Sequence, residues 1–103
     1  MYFIYHRNRD AAKIGITGAE RTQLEKHQRR GWEILLTLDV PGETAMAIER
    51  AVLRWWRDHL DLPPYLGKQE MPQGGWTETV AADEIDLAAT MRWLREQAAQ
   101  VDG

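Results

Sequence analysis

The strongest constraint on the fold is a segment rich in proline and glycine, residues 61–75, in a chain of 103 residues. Proline and glycine at this density exclude a regular helix or a central strand there. About 25 residues of regular pattern follow the segment, which is too little chain for a second hydrophobic core. We therefore predict that residues 1–103 form a single domain, and that the segment is an ordered loop or lid rather than a linker.

The apolar pattern predicts regular structure on both sides of this segment. Short runs of aromatic and β-branched residues are typical of strands. Residues 43–60 contain no glycine or proline and repeat apolar positions at helical spacing. The predicted strands are residues 2–6, 13–17 and 32–40, with a short extended stretch at 76–80, and the predicted helices are residues 20–30, residues 43–60 after a turn at Pro41 and Gly42, and a last helix with Asp83 as its N-cap.

These elements predict an α/β or α+β fold, in which a small, three-stranded, mainly antiparallel sheet is flanked by helices in the order β-β-α-β-α-loop-α. The composition excludes several classes of protein. The chain has no cysteine, so disulfides, thiolate zinc sites and cysteine nucleophiles are ruled out. No stretch approaches the ~20 apolar residues of a membrane span, and charged residues come too early for a signal peptide. We expect a cytoplasmic protein with no membrane contact.

The charge is distributed unevenly along the chain. The formal net charge of −3 argues against a broad nucleic-acid binder, which is normally basic. The first third nevertheless holds Arg7, Arg9, Lys13, Arg21, Lys26, Arg29 and Arg30, whereas the acidic residues gather between positions 70 and 96. The first third can therefore face phosphates while the last third does not. The alternative is that these residues form ordinary solvated faces.

Glu49 is the most informative single residue. On the helix over residues 43–60, it falls inside the apolar arc, between the directions of Ala45 and Val52. A carboxylate directed at a core is costly unless it is paired or binds a metal ion. A salt bridge to a nearby Arg or Lys, or an edge position that reaches water, accounts for it equally well.

The helix over residues 20–30 has a polar face. Leu24 is its one large apolar residue, so this face can line a polar cleft that contains His27. His27 can be a general base, a phosphate donor or a satisfied surface histidine. Gly15 lies inside a predicted strand, where a glycine marks either the close approach of a ligand or of another backbone, or a simple bulge.

In this order, these pieces resemble the GIY-YIG nuclease family. Residues 2–4, Tyr-Phe-Ile, match the end of the family's first motif, and residues 13–15, Lys-Ile-Gly, match its second motif in a variant form. His27 fits the histidine of the first helix, and Glu49 fits the single metal-binding glutamate of a later helix. Residues 71–80 resemble a final segment of small actinobacterial and phage members.

The resemblance implies an endonuclease that hydrolyses phosphodiester bonds of nucleic acid, DNA in the first place, with Mg²⁺ or Mn²⁺ as cofactor. Glu49 would bind the metal ion, Tyr2 would activate the attacking water, and Lys13 with a helix arginine would hold the phosphate. The expected catalytic residues are Tyr2, Lys13, Arg21, His27 and Glu49. The expected substrate contacts are Gly15, Gln23, Arg29, Arg30 and Tyr5, of which Tyr5 is also the second choice for the phenol.

Gln23 is the main departure from the family pattern, because it stands where the family usually places an arginine. Cleavage is then expected to be slow unless Arg21 takes over. Two other interpretations stay open. One is a phage or mobile-element accessory factor that binds nucleic acid or protein on a nuclease fold without cutting. The other is a small enzyme of another class that uses Tyr, Lys and His.

Overall fold

The computed structural model describes residues 1–16 and 22–101. Within these ranges the chain is an α+β protein with a four-stranded antiparallel sheet and three α-helices. The elements are β1 (Tyr2–His6), β2 (Ala11–Gly15), α1 (Thr22–Arg29), β3 (Trp32–Thr37), α2 (Gly42–Arg54), β4 (Thr79–Ala81) and α3 (Leu87–Val101). The predicted fold class is therefore confirmed, with one strand more than expected.

The strand order is β3-β1-β2-β4. A tight turn over residues 7–10 joins β1 to β2, and Asp10 adopts a left-handed φ of 50° there, which aspartate tolerates better than most residues. This short connection fixes the register, so that Tyr2 lies opposite Gly15. On the other side of β2, Lys13 pairs with Thr79 of β4. Lys13 therefore sits on an interior strand of the sheet.

The larger core lies on one face of the sheet. Because side chains alternate along a strand, Phe3 and Ile14 point to the same face, where they pack against Ile48, Val52 and Trp56. Ile48 and Val52 belong to α2, and Trp56 belongs to the π-helical turn that follows it. The stripe of apolar residues in α2 covers this face of the sheet. Burial of large apolar side chains here supplies most of the driving force for folding.

The opposite face of the sheet carries a smaller core with polar side chains beside it. Tyr2 and Ile4 pack against Leu24 of α1 and against Leu66 and Met71 of the proline- and glycine-rich segment. Leu66 and Met71 are 4% and 2% exposed, although Tyr65 is 47% exposed. The prediction that this segment folds over the sheet as an ordered loop is thus confirmed.

Arg57 fixes the far end of this loop. Its guanidinium donates hydrogen bonds to the carbonyl oxygens of Leu62 at 3.0 Å, Thr77 at 2.8 Å and Thr79 at 2.6 Å. The Thr79 hydroxyl in turn donates to the carbonyl of Trp76 at 2.7 Å. One side chain therefore binds carbonyls before and after the loop and holds its two ends together.

Three strand predictions need correction. The sheet has four strands rather than three, because Thr79–Ala81 pairs with β2; a three-residue strand is too short to show a periodic pattern. β2 begins at Ala11 rather than at residue 13. Ala11 and Ala12 have low strand propensity, and they are extended because neighbouring strands pair with β2 on both sides. β3 ends at Thr37 rather than at residue 40. The predicted positions 17, 18, 20 and 21 lie outside the described residues.

The helix boundaries also differ. α2 begins at Gly42 rather than at residue 43, and the Pro41 carbonyl accepts from the amide of Ala45 at 2.9 Å. The α-helix ends at Arg54, and residues up to His59 form a π turn instead of a continued α-helix. Residues 43–60 contain no glycine or proline, so the sequence gives no signal of this change from α-helix to π-helix.

Asp83 is not the N-cap of the last helix. It lies in a short 3₁₀ turn, Ala82–Glu84, and the extended backbone of Ile85 separates that turn from α3. Asp86 is the cap, since its Oδ1 accepts from the amide of Ala89 at 2.9 Å. Both aspartates satisfy the sequence preference for a cap, and tertiary packing selects the later one.

Gly15 allows the Tyr2 ring to lie against β2. A Cβ at Gly15 would come within 2.4 Å of the Tyr2 ring and hydroxyl, whereas a Cβ at Gly42 would meet no atom within 4 Å. We expect Gly15→Ala to lower the free energy of unfolding by about 1–3 kcal/mol through overpacking. Gly42→Ala, the control, should raise it by up to about 1 kcal/mol. Urea unfolding measures both, and equal effects would contradict the packing.

Candidate functional site

The centre of the site is the buried ammonium group of Lys13, a residue that is 1% exposed. Its Nζ donates to the carbonyl of Ile14 at 3.1 Å, to Oε2 of Glu78 at 3.1 Å and to the Tyr2 hydroxyl at 3.5 Å. Burial lowers the pKa of Lys13, and the adjacent Glu78 carboxylate opposes that shift. A buried charge is tolerated when its hydrogen-bonding capacity is filled in this way.

Tyr2 lies beside Lys13 on the neighbouring strand and is 2% exposed. Its hydroxyl accepts from Lys13, and its ring lies 5.2 Å from Nζ. Burial raises the pKa of Tyr2 well above its ordinary value, and the negative charges of Glu78 and Glu49 raise it further. The phenol is therefore protonated at neutral pH and keeps its own proton for donation.

Glu49 joins this group from α2. It is half-buried, and its carboxylate forms no ion pair or hydrogen bond with any residue in the described ranges. Burial raises the pKa of Glu49, as does the charge of Glu78, while Lys13 and Arg50 act in the opposite direction. Glu49 is thus within electrostatic reach of the Lys13–Glu78 pair. The alternative of a salt bridge does not hold for the described partners.

His27 on α1 is completely buried, with 0% exposure. Its Nδ1 lies 3.2 Å from Nε2 of Gln73. With the Gln73 amide in this orientation, its nitrogen donates to Nδ1, which assigns the ring proton to Nε2. Within the described chain Nε2 has no partner. Burial and the nearby Lys13 charge lower the pKa of His27 to about 4, so the ring is neutral near pH 7.

Residues 72–78, which we call the strap, cover these groups. Gly75 has a left-handed φ of +90°, and a Cβ there would come within 2.4 Å of Cε of Lys13. Gln23 of α1 donates through Nε2 to the carbonyl of Gln73 at 2.6 Å. The strap is therefore held by Gln23 and His27 at one end and by Glu78 at the other. Gln23, expected to contact substrate, binds the strap in this structure.

Other predicted residues are placed apart from this cluster. Tyr5 points to the opposite face of the sheet, packs against the larger core and donates to Asp10 at 3.2 Å. Arg29 and Arg30 are exposed at the end of α1, and neither makes a contact with the cluster among the described residues. Arg21 lies outside the described residues. The structure therefore brings together Tyr2, Lys13, Gly15, Gln23, His27 and, through its charge, Glu49.

Sequence reasoning missed Glu78, Gln73 and Gly75, which complete the cluster. Gly74 and Gly75 are adjacent glycines, and both have φ near +90°, so the pair was a signal of a sharp turn or close approach. Nothing in the spacing indicates that Glu78 pairs with Lys13, because 65 positions separate them. That contact depends on the pairing of β4 with β2.

Glu49 is the residue of the cluster that could hold a divalent cation. In the described part of the chain, no group of three or more His, Asp or Glu side chains is placed to hold a metal ion. Mg²⁺, however, is commonly held by one or two carboxylates and completes its coordination with water. Glu49 offers a carboxylate without a protein partner, and Glu78 adds a second negative charge nearby. Glu49 is therefore the residue that would hold the ion.

An apolar groove of about 680 Å³ is elsewhere. It lies between α2 and α3 and is lined by Trp55, Trp56 and Trp93 among others. None of the cluster residues borders it, and its lining belongs to the other face of the sheet. We assign the chemistry to the polar cluster because titratable groups with shifted pKa values gather there.

Comparison with protein-family models, with curated proteins and with solved structures gives no match. No helix in residues 1–16 and 22–101 is both long and apolar enough to cross a membrane. The function therefore has to be argued from the cluster itself.

The lowered pKa of His27 predicts a dependence of stability on pH. The unfolded state takes up a proton near pH 6.5, whereas the folded ring does so near pH 4. The unfolded state binds more protons in that window, so acidification from pH 6.5 to 4 should destabilise the wild type by up to about 3 kcal/mol through His27.

His27→Gln should lack this component, so urea unfolding over the same pH range should show a shallower decline. An imidazole NMR titration gives the pKa directly. Equal pH slopes for both proteins, or a His27 midpoint near 6.5, would contradict the buried neutral ring.

Proposed function

We propose that this protein is a metal-dependent endonuclease of the GIY-YIG type that hydrolyses phosphodiester bonds in DNA. The observation that carries the proposal is the contact of the Lys13 ammonium with the Tyr2 hydroxyl on adjacent strands, within the electrostatic reach of Glu49. A phenol, an ammonium and a carboxylate are the groups that phosphodiester hydrolysis requires for water activation, phosphate binding and metal binding.

Tyr2 would orient the attacking water. With its raised pKa, the phenol is a poor direct base in the state described, so it acts best through a hydrogen-bonded water. Lys13 favours the phenolate because its ammonium donates to the phenol oxygen. Gly15 sets the position of the ring against β2. A ring fixed in this way orients the water without further loss of conformational freedom.

Lys13 would also bind the phosphate, since an ammonium is a compact positive charge with three donors. Glu49 would hold the Mg²⁺ or Mn²⁺ ion, which supplies charge stabilisation at the leaving oxygen when it is bound. His27 is neutral, and its Nε2 proton can donate to a substrate oxygen but adds no positive charge. Arg29 and Arg30 stay predictions as substrate contacts, and Arg21 stays a prediction as a catalytic residue that would hold the phosphate.

One observation favours a second function, a binding factor that does not cut. Tyr2, Lys13 and His27 are all buried beneath the strap. The side-chain amide of Gln23 donates a hydrogen bond to the strap. A protein in which this closure never opened would bind nucleic acid or a protein partner through its surface. Metal-dependent cleavage by the wild type separates the two functions.

The partner that we propose is DNA, and the location is the cytoplasm. The absence of cysteine suits a reducing compartment. The negative net charge predicts that binding depends on local contacts at the cluster rather than on the overall field of the protein. Binding should consequently show a shallow dependence on salt, since few phosphates are neutralised.

Glu49→Ala tests the proposed activity. We expect the wild type to cut single- or double-stranded DNA with Mg²⁺ or Mn²⁺, and the variant to be slower by more than about a hundredfold, because the ion loses its one protein carboxylate. Glu43→Ala, an exposed glutamate in the first turn of the same helix, should cut at the wild-type rate. Calorimetric titration with Mn²⁺ should show weakened binding for Glu49→Ala alone. Equal cleavage by both variants would refute the assignment.

Gln23 predicts a slow wild-type rate. A guanidinium at this position would add a permanent charge and a fork of donors toward phosphate oxygens. We expect Gln23→Arg to raise the single-turnover rate by about ten- to a hundredfold, below the hundred- to thousandfold of a fully preorganised donor. Gln28→Arg, on the exposed side of the same helix, is the control. If Arg21 already fills the phosphate position, Gln23→Arg adds nothing and Arg21→Ala abolishes cutting.

A further inference from the structure

We propose that the strap, residues 72–78, is an autoinhibitory lid, and that the Glu78 carboxylate occupies the place on Lys13 that a phosphate of the substrate takes. The proposal rests on the proposed function, because it states which carboxylate must leave Lys13 before the same site can bind DNA. Glu78 would then compete with the phosphate of the substrate for Lys13.

The hydrogen-bonding capacity of Lys13 is the first reason. An ammonium has three N–H donors, and those of Lys13 are directed at Ile14, Glu78 and Tyr2. A phosphate oxygen can bind the ammonium only if one of these acceptors leaves. The Ile14 carbonyl and the Tyr2 phenol belong to strands of the sheet. Glu78 is the exchangeable partner, and it exchanges one anionic oxygen for another.

Access is the second reason. Lys13, Tyr2 and His27 are each no more than 2% exposed, so a phosphodiester cannot contact any of them in the conformation described. Glu78, in contrast, is partly exposed, with 28% of its side chain accessible. The carboxylate can therefore move into water, where its solvation compensates for the lost ion pair, while Lys13 receives the phosphate.

The backbone of the strap is built for this closure. Gly75 lies so close to Lys13 that any side chain at this position would collide with the Lys13 stem. Gly74 and Gly75 both have left-handed φ values, and two adjacent glycines can change conformation at low steric cost. They lie between two anchored points, namely the buried Met71 and Thr77, whose carbonyl is bound by Arg57.

The contacts that hold the strap down are few, and those around its two glycines are polar. Over residues 73–75 they are the Gln23 amide to the Gln73 carbonyl at 2.6 Å and the Gln73 amide to His27 at 3.2 Å. The Lys13–Glu78 pair holds residue 78. Trp76 also packs against the smaller core, and the Thr77 carbonyl is bound by Arg57. Segments held by a small number of polar contacts open at low free-energy cost relative to global unfolding. The strap can thus open while the larger core and the fully buried residues of the smaller core stay in place.

Two variants should open the strap by different routes. Glu78→Gln removes the competing charge, and Gly75→Ala pushes the strap off Lys13 without changing any charge. Glu96→Gln, which removes an exposed negative charge on α3, is the control for Glu78→Gln. Hydrogen–deuterium exchange of residues 72–78 is measured without DNA. Binding of a short fluorescein-labelled DNA duplex and single strand is measured in EDTA at pH 6, because burial lowers the pKa of Lys13 and a lower pH favours its ammonium form.

We expect faster exchange of residues 72–78 and about tenfold tighter DNA binding for both opening variants, with Glu96→Gln like the wild type. Unchanged exchange in both variants would show that these contacts do not hold the strap, and would overturn the proposal. Faster exchange without tighter binding would also overturn it, because the strap then does not compete with DNA. Either failure leaves the nuclease assignment to the separate test with Glu49→Ala.

Discussion

The buried ammonium of Lys13 is the interaction on which the rest of the site depends. Lys13 lies on an interior strand, between β1 and β4, where the chain cannot move it into water. Its charge must be compensated in place, because an unpaired buried charge costs several kcal/mol. The compensation comes from Tyr2 on β1 and from Glu78 beyond the loop. A single residue thereby fixes the phenol, the strap and the path of the chain into β4.

The same requirement explains the uneven chemistry of the two sheet faces. The face with Phe3 and Ile14 is apolar and is covered by α2 and by α3, as expected for a sheet buried by helices. The face with Tyr2 and Lys13 cannot be covered by an apolar helix, since the ammonium needs acceptors. α1 is accordingly polar, and an irregular segment with free carbonyl and carboxylate groups covers the remainder.

The local parts of this arrangement could be predicted from sequence, and the long-range parts could not. Gly15 lies inside a strand and Glu49 lies in an apolar arc, so each residue interrupts a periodic pattern. Both residues lie near the cluster. The order of the elements and the ordered loop follow from periodicity and from proline and glycine. Glu78 breaks no pattern, because an acidic residue in a polar stretch is unremarkable. Its role depends on the register between β2 and β4, which is a tertiary property.

The balance of charges in the cluster depends on whether Glu78 is bound to Lys13. His27 and Tyr2 are neutral, so the Lys13 ammonium faces two carboxylates, Glu49 and Glu78. One negative charge is therefore in excess, which favours a cation and opposes an anion. Departure of Glu78 removes this excess: the cluster then holds one ammonium and one carboxylate and is neutral, and one of the charges that add to the effect of burial on the pKa of Tyr2 moves away. In the proposed nuclease the phosphate then replaces Glu78 as the anion on Lys13, so the movement of a single carboxylate decides whether the ammonium is bound by the protein or by its substrate.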